Sequence, residues 1–158
     1  MLDGIVADPA HRELLDAASA LLGEDCEQWW RGCAENGRYA NANAQFAIVL
    51  YQLATWNSIA GLLPTPALVA GYSVGELVAC CLSGALTQQD TLRIALARAQ
   101  LMDQAASLLQ PDSGAMMLWR HDDRPGSCEL RNRMMEELGI DCAIVRSADE
   151  LVLSGRAS

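Results

Sequence analysis

A chain of 158 residues that is 51% hydrophobic can bury a core, and it has the length of one domain or one and a half. Its formal net charge of −9, with 11 basic residues that are all arginine, argues against nucleic acid or an anionic membrane as partner. No apolar run has transmembrane length, the N-terminus lacks the basic region of a signal peptide, and the six cysteines form no C-x-x-C pair. We therefore expect a soluble cytoplasmic protein with reduced thiols and no metal site.

The first predicted helix begins after Asp8-Pro9, a cap followed by a first-turn proline, and ends at Gly23. Its apolar stripe consists of Leu14, Leu15, Ala18, Leu21 and Leu22. A short helix from Glu24 to Arg31, containing Trp29 and Trp30, is predicted to lie on the surface, and a loop over 33–39 follows.

A long helix is predicted next, capped by Asn41 or Asn43 and extending to about Ile59. One face of it is apolar and consists of Phe46, Val49, Leu50, Leu53 and Trp56. Gly61 and Pro64 end this helix before the next element.

The segment from Pro66 to Ala70 predicts a short buried strand that leads into Gly-x-Ser-x-Gly. A serine between two glycines at a strand-to-helix turn is typical of a nucleophile elbow, because Gly71 and Gly75 lack side chains that would clash there. The turn would expose the Ser73 hydroxyl and direct the N–H of Val74 into the same space. The alternative is a glycine-rich turn with a serine cap.

The apolar run Leu77–Leu82 directly follows the elbow and predicts a buried helix that ends at Gly84. Cys80 and Cys81 lie inside this run. We therefore expect both to be buried, reduced thiols.

A further helix is predicted from Thr87, where a capping box ends in Asp90, to about Leu109. Arg93 has an acidic residue three positions earlier, whereas the residues three and four positions from Arg98 are Ile, Ala, Leu and Met. Arg98 could bind a substrate carboxylate with a bidentate fork, or it could pair with a distant acid.

The C-terminal part predicts a β-α-β-β order, which is the first part of a ferredoxin-like unit. Its elements are a strand Ala115–Trp119, a helix capped by Ser127 and ending at Leu138, and strands Cys142–Val145 and Leu151–Ser154 joined by a hairpin near Ala148-Asp149.

Gly71-Tyr72-Ser73-Val74-Gly75-Glu76 resembles the G-H-S-L-G-E signature of the malonyl-CoA:acyl-carrier-protein transacylase family. Arg98 falls where that family has its carboxylate-binding arginine, in a helix that reads R-x-x-L-M. The resemblance extends from about position 10 to the end of the chain. Further family landmarks are Ala44-Gln45, Ser113-Gly114-Ala115-Met116 and Val152-Leu153-Ser154-Gly155.

The resemblance implies an α/β fold, with an α/β-hydrolase-like acyltransferase core and an inserted ferredoxin-like small subdomain, both incomplete in this chain. Residues 1–112 would form part of the large subdomain with its nucleophile elbow. Residues 113–158 would form the first part of the small subdomain.

The resemblance also implies an activity, the transfer of a malonyl group from malonyl-CoA to the thiol of an acyl carrier protein through a malonyl-serine ester. Ser73 would be the nucleophile, the N–H of Val74 the oxyanion donor and Arg98 the ligand of the malonyl carboxylate. No bound cofactor is implied, because malonyl-CoA is the substrate and the carrier holds a pantetheine-type prosthetic group. The other motif residues are Gly71, Tyr72, Gly75 and Glu76.

Within the family, Tyr72 and Val74 replace the usual His and Leu. The motif looks most like that of the epsilon subunit of malonate decarboxylase, a malonyl transferase, which implies other decarboxylase subunits as partners. Arg146-Ser147-Ala148 departs from the Asn-Ser-Pro of many relatives, which puts a binding role for that loop in doubt.

The family's first strand with its G-Q-G-x-Q loop and its downstream catalytic histidine have no counterpart in this chain, and His11 and His121 are poor substitutes. We therefore expect an internal fragment that is inactive alone. The alternatives are a serine esterase or thioesterase, which shares G-x-S-x-G, and a catalytically silent fragment or interaction domain.

Overall fold

The computed structural model describes residues 2–33, 37–108, 114–120 and 126–156, which belong to two compact units, Met1–Gln104 and Ala105–Ser158. The predicted domain boundary after residue 112 stays a prediction. None of the helices in these ranges combines the length and apolar character needed to cross a membrane.

The helices are α1 Asp3–Val6, α2 Arg12–Leu22, α3 Cys26–Gly32, α4 Asn41–Ile59, α5 Gly75–Leu82, α6 Gln88–Leu108 and α7 Ser127–Leu138; the strands are β1 Gly114–Arg120, β2 Asp141–Val145 and β3 Glu150–Arg156.

The predicted helix start at Asp8 is confirmed. The Asp8 carboxylate accepts a hydrogen bond from the N–H of Ala10 at 2.9 Å and caps a 3₁₀ turn that continues into α2. Leu14 and Ala18 from the predicted stripe are buried, and the helix ends at Gly23 in the left-handed conformation.

The prediction that Trp29 and Trp30 lie on the surface is wrong, because they are only 9% and 5% exposed. The ring of Trp29 packs edge-on against Phe46 of α4, with 5.5 Å between the ring centroids. Trp30 donates its indole N–H to Asp3 of α1, a helix that the sequence reasoning missed. Two large aromatic rings on one short helix stabilise the fold most when they enter the core.

The predicted long helix is confirmed as α4, and Phe46, Val49, Leu50 and Leu53 are fully buried in the core of the first unit. Its predicted cap is wrong. Ala40 occupies the N-cap position, and no side chain caps the helix there.

The predicted buried strand at Pro66–Ala70 is wrong. These residues have no regular secondary structure, and Leu68 is 84% exposed. A strand needs a neighbouring strand for its backbone hydrogen bonds. The first unit has no strand in its described part, so the apolar segment remains uncovered there.

The predicted burial of the helix after the elbow is wrong for most of α5, since only Val78 is buried. Cys80 is exposed and Cys81 is partly exposed, which corrects the prediction that both are buried. The fully buried thiol is instead that of Cys26, whose pKa is raised to about 11 by burial and by the charge of Asp25. None of the six cysteines, which all lie in the described ranges, forms a disulfide.

Thr87 and Asp90 form part of the predicted capping box at the start of α6. The Thr87 hydroxyl oxygen accepts a hydrogen bond from the N–H of Asp90 at 3.0 Å and donates its proton to the Asp90 carboxylate at 2.8 Å. Arg93 forms the expected ion pair with Asp90 on the same helix.

The predicted β-α-β-β order of the C-terminal unit is confirmed. Its sheet has the order β1-β3-β2, and both outer strands are antiparallel to β3, so β1 and β2 run parallel and α7 connects them. Gly126 occupies the N-cap position of α7, so Ser127, the predicted cap, is instead the first residue of the helix. Met116 and Met117 of β1 are more than half exposed, whereas Leu151 and Leu153 of β3 are buried.

Candidate active site

The backbone at Ser73 has the strained conformation that a nucleophile elbow requires. Ser73 has a φ of 55° and is the one residue other than glycine with a positive φ in the described part of the chain. This left-handed conformation costs free energy in a non-glycine residue and is concentrated at functional sites. The serine is exposed at the turn that leads into α5.

The two glycines of the motif differ in what surrounds them. A Cβ atom on Gly71 would overlap the carbonyl group of Gly75 and would lie only 2.5 Å from the N–H nitrogen of Glu76. A Cβ on Gly75 would meet only the Gln52 amide, at 3.9 and 4.0 Å. The close approach of the segment before Ser73 to the start of α5 therefore depends on Gly71. The crowding expected at Gly75 is absent.

The N–H of Val74 lies at the N-terminal end of α5 and makes no hydrogen bond to any described residue. The neighbouring N–H groups do: that of Gly75 donates to the Tyr72 carbonyl at 3.0 Å, and that of Glu76 to the Ser73 carbonyl at 3.1 Å. An unpaired N–H at a helix N-terminus next to a serine hydroxyl can stabilise negative charge.

The structure brings Arg98 of α6 next to Ser73. The Nη2 atom of Arg98 is 3.4 Å from the Ser73 hydroxyl oxygen, and Nη1 donates to the side-chain carbonyl of Gln45. Within the described ranges, no carboxylate forms an ion pair with Arg98. The alternative interpretation, in which Arg98 pairs with a distant acidic residue, is therefore not seen among the described residues.

Gln45 is a neighbour of Arg98 that sequence reasoning noted only as a family landmark. Its side chain is buried, with 8% exposure, on the face of α4 that also carries Phe46 and Val49. A buried amide needs hydrogen-bond partners, and a guanidinium can supply one. A polar residue on the otherwise apolar face of a predicted helix was the signal in the sequence.

An apolar groove of about 620 Å³ lies between α4, α5 and the segment before Ser73. Trp56, Tyr72 and Val78 are among its lining residues, but neither Ser73 nor Arg98 is. The reactive side chains therefore lie outside this groove.

The two histidines are not part of the described site. His11 is buried, and its Nε2 atom is 3.4 Å from the hydroxyl oxygen of Ser58 and 3.9 Å from a carboxylate oxygen of Asp8. His121 lies outside the described residues. The site as described thus contains a serine, an unpaired backbone N–H and an arginine, which together suit acyl transfer from a substrate with a free carboxylate.

Comparison with known protein families gives a match to the family described as "Acyl transferase domain", over residues 40–157. Among curated proteins, a non-reducing polyketide synthase of Aspergillus terreus is 48% identical over 52 residues, which are 33% of this chain and 2% of the synthase. A non-reducing polyketide synthase of Ustilaginoidea virens is 26% identical over 157 residues, which are 99% of this chain and 7% of the synthase.

Solved structures have the same fold. A malonyl-transacylase in complex with a type II PKS acyl-carrier protein has a TM-score of 0.79 and 23% identity, over 99% of this chain and 50% of its own. An acyl carrier protein S-malonyltransferase from Vibrio cholerae has a TM-score of 0.78 and 22% identity, over 98% and 50%. For MCAT from Streptococcus pneumoniae the TM-score is 0.72 and the identity 26%, over 93% and 47%. The chain thus spans about half the length of these proteins.

The fold is therefore that of an α/β acyltransferase. The chain belongs to the acyl transferase domain family, because the matched residues 40–157 are more than half of it and include the serine elbow, Gln45 and Arg98.

Proposed function

We propose that this chain carries the nucleophile and the carboxylate-binding residue of a malonyl transferase, which moves a malonyl group from malonyl-CoA to an acyl carrier protein. The observation that carries the proposal is the position of Arg98, which is 3.4 Å from the Ser73 hydroxyl oxygen and, among the described residues, is joined to Gln45 rather than to an acid. The names of the similar solved structures support the same substrate and partner, since they are malonyl transferases of acyl carrier proteins.

In the first step, the Ser73 hydroxyl oxygen attacks the thioester carbonyl carbon, the C–S bond breaks, and CoA leaves as the thiol. A general base takes the serine proton and passes it to the departing CoA sulfur; His11, the one histidine among the described residues, contacts Ser58 instead of Ser73. The N–H of Val74 donates to the oxyanion of the tetrahedral intermediate. In the second step, the sulfur of the carrier thiol attacks the ester carbonyl carbon, the C–O bond to Ser73 breaks, and the thiol proton passes through the base to the serine oxygen.

Arg98 selects the acyl group. A malonyl carboxylate can accept two hydrogen bonds from the guanidinium, whereas an acetyl group leaves the charge without a partner. The side chain is half-buried, so solvent does not fully replace the missing carboxylate.

A serine hydrolase is the competing function, because it shares the elbow. A transferase passes the acyl group to a carrier thiol, whereas a hydrolase passes it to water. The test is to incubate the natural, full-length protein with malonyl-CoA, with and without a carrier protein. We expect free CoA and malonyl-carrier to form in equal amounts when the carrier is present, and little CoA release without it. Rapid release of free malonate, unaffected by the carrier, would support the hydrolase instead.

We further propose that the carrier is the small subunit of a malonate decarboxylase, on the basis of the Tyr72-Ser73-Val74 sequence of the elbow. The similarity to polyketide synthases favours a second candidate, a carrier domain of that kind of enzyme. A competition assay with one carrier of each kind tests this. Preferential malonylation of the malonate decarboxylase carrier is expected, and preference for the polyketide carrier would favour the second candidate.

A further inference from the structure

A row of hydrogen-bonded side chains lies behind Arg98 and connects α4 with α6. The side-chain NH₂ of Asn41 donates to the Asp103 carboxylate at 2.9 Å and to the backbone carbonyl of Ala99 at 3.1 Å. The side-chain carbonyl of Asn41 accepts a hydrogen bond from the Gln45 NH₂ at 2.6 Å. The carbonyl of Gln45 in turn accepts from Arg98.

The chemistry of the groups permits one orientation for each amide in this row. A carboxylate and a backbone carbonyl only accept hydrogen bonds, so Asn41 must turn its NH₂ toward Asp103 and Ala99. Its carbonyl then points to Gln45, which must present its own NH₂ to Asn41. The Gln45 carbonyl is thereby directed at Arg98, which can only donate.

We propose that Asn41 and Asp103 are positioning residues for acyl specificity. They fix Gln45 with its carbonyl toward Arg98, and Gln45 fixes one nitrogen of the guanidinium so that the other stays next to Ser73. A preorganised arginine loses less side-chain entropy when it binds a carboxylate. This inference rests on the proposed function, because it assigns the row a role in malonyl selection.

Asp103, at one end of the row, is exposed, so it can be substituted without damage to the core. Asp103→Leu and Asp103→Asn remove the same charge, but only the asparagine retains a carbonyl that can accept from Asn41. The pair therefore separates the hydrogen bond from the charge. Asn41→Leu removes the central member of the row.

The experiment compares kcat/KM for malonyl-CoA and acetyl-CoA in the natural, full-length protein and these three variants. Asp103→Leu and Asn41→Leu should lower the malonyl-over-acetyl ratio about tenfold, the size expected for one hydrogen bond, through a higher KM for malonyl-CoA. Acetyl transfer should be unchanged, and Asp103→Asn should retain the wild-type ratio. Equal losses for both substrates, or an unchanged ratio in the leucine variants, would overturn the proposal.

Absence of malonyl transfer in the wild-type protein would contradict the proposed function itself. A second measurement tests the positioning role even in that case. In NMR spectra, the Gln45 side-chain NH₂ and Arg98 guanidinium signals should shift in Asp103→Leu and keep their positions in Asp103→Asn. Unchanged Gln45 and Arg98 signals in Asp103→Leu would overturn the positioning role independently of activity.

Discussion

At the scale of single residues, two arginines on α6 have different surroundings. Arg93 is exposed and forms an ion pair with Asp90, whereas Arg98 is half-buried between Gln45 and Ser73. Surface ion pairs contribute little to stability, so Arg93 serves as a matched control for the role of Arg98.

We predict that Arg98→Ala reverses the acyl preference. Loss of a bidentate contact to a desolvated carboxylate should cost malonyl transfer roughly 2–5 kcal/mol. Acetyl transfer should be retained or should improve, because the unpaired charge is removed. The measurement is kcat/KM for both acyl-CoA substrates, with Arg93→Ala close to wild type. If malonyl and acetyl transfer fall equally, Arg98 has a structural role.

Residue types and spacing could identify Ser73 and Arg98 as candidates because both stand out from their local sequence. Asn41 and Asp103 could not be identified in this way. Asn41 looks like a helix cap in the sequence, and two of its partners, Ala99 and Asp103, are on another helix. Their role depends on how α4 and α6 pack, which no local pattern contains.

At the scale of elements, the elbow depends on the close approach of Gly71 to the start of α5. The sequence could predict this turn, because glycine is the residue that permits such contact. It could not predict the state of Pro66–Ala70, because a strand is completed by its neighbours and not by its own residues.

We predict that Gly71→Ala disrupts the elbow and Gly75→Ala does not. The new Cβ at position 71 overlaps backbone, which should destabilise the fold by roughly 1–3 kcal/mol and strongly reduce malonylation. At position 75 the new Cβ has room, and alanine at a helix start changes stability by at most about 1 kcal/mol. Chemical unfolding and an acylation assay measure both effects. Similar behaviour of the two variants would contradict this account of the turn.

At the scale of the whole molecule, the helical core of the first unit holds together elements that are far apart in the sequence. Trp29 and Trp30 from a short, mixed segment enter this core next to Phe46. The spacing of Phe46, Leu50 and Leu53 could predict the buried face of α4, since these large apolar residues recur over two helical turns. For the seven-residue α3 there were too few repeats to decide which side faces inward.

We predict a pH-dependent contribution of Cys26 to the stability of this core. Burial raises its pKa from 9.0 to about 11, so the folded state keeps a proton that the unfolded state loses. The contribution is fully present below pH 9 and is lost as the pH rises toward 11. Urea unfolding of wild type and Cys26→Ala from pH 8 to 11 tests it. The stability difference between them should shrink with rising pH, and a constant difference would contradict the prediction.

Intact-mass measurement after incubation with malonyl-CoA shows whether Ser73 accepts the malonyl group. The natural, full-length protein should gain the mass of one malonyl group, and peptide mapping should locate it on Ser73. Ser58→Ala, which changes the serine that contacts His11, should still form the adduct, whereas Ser73→Ala should not. An undiminished malonyl adduct in Ser73→Ala would contradict the account.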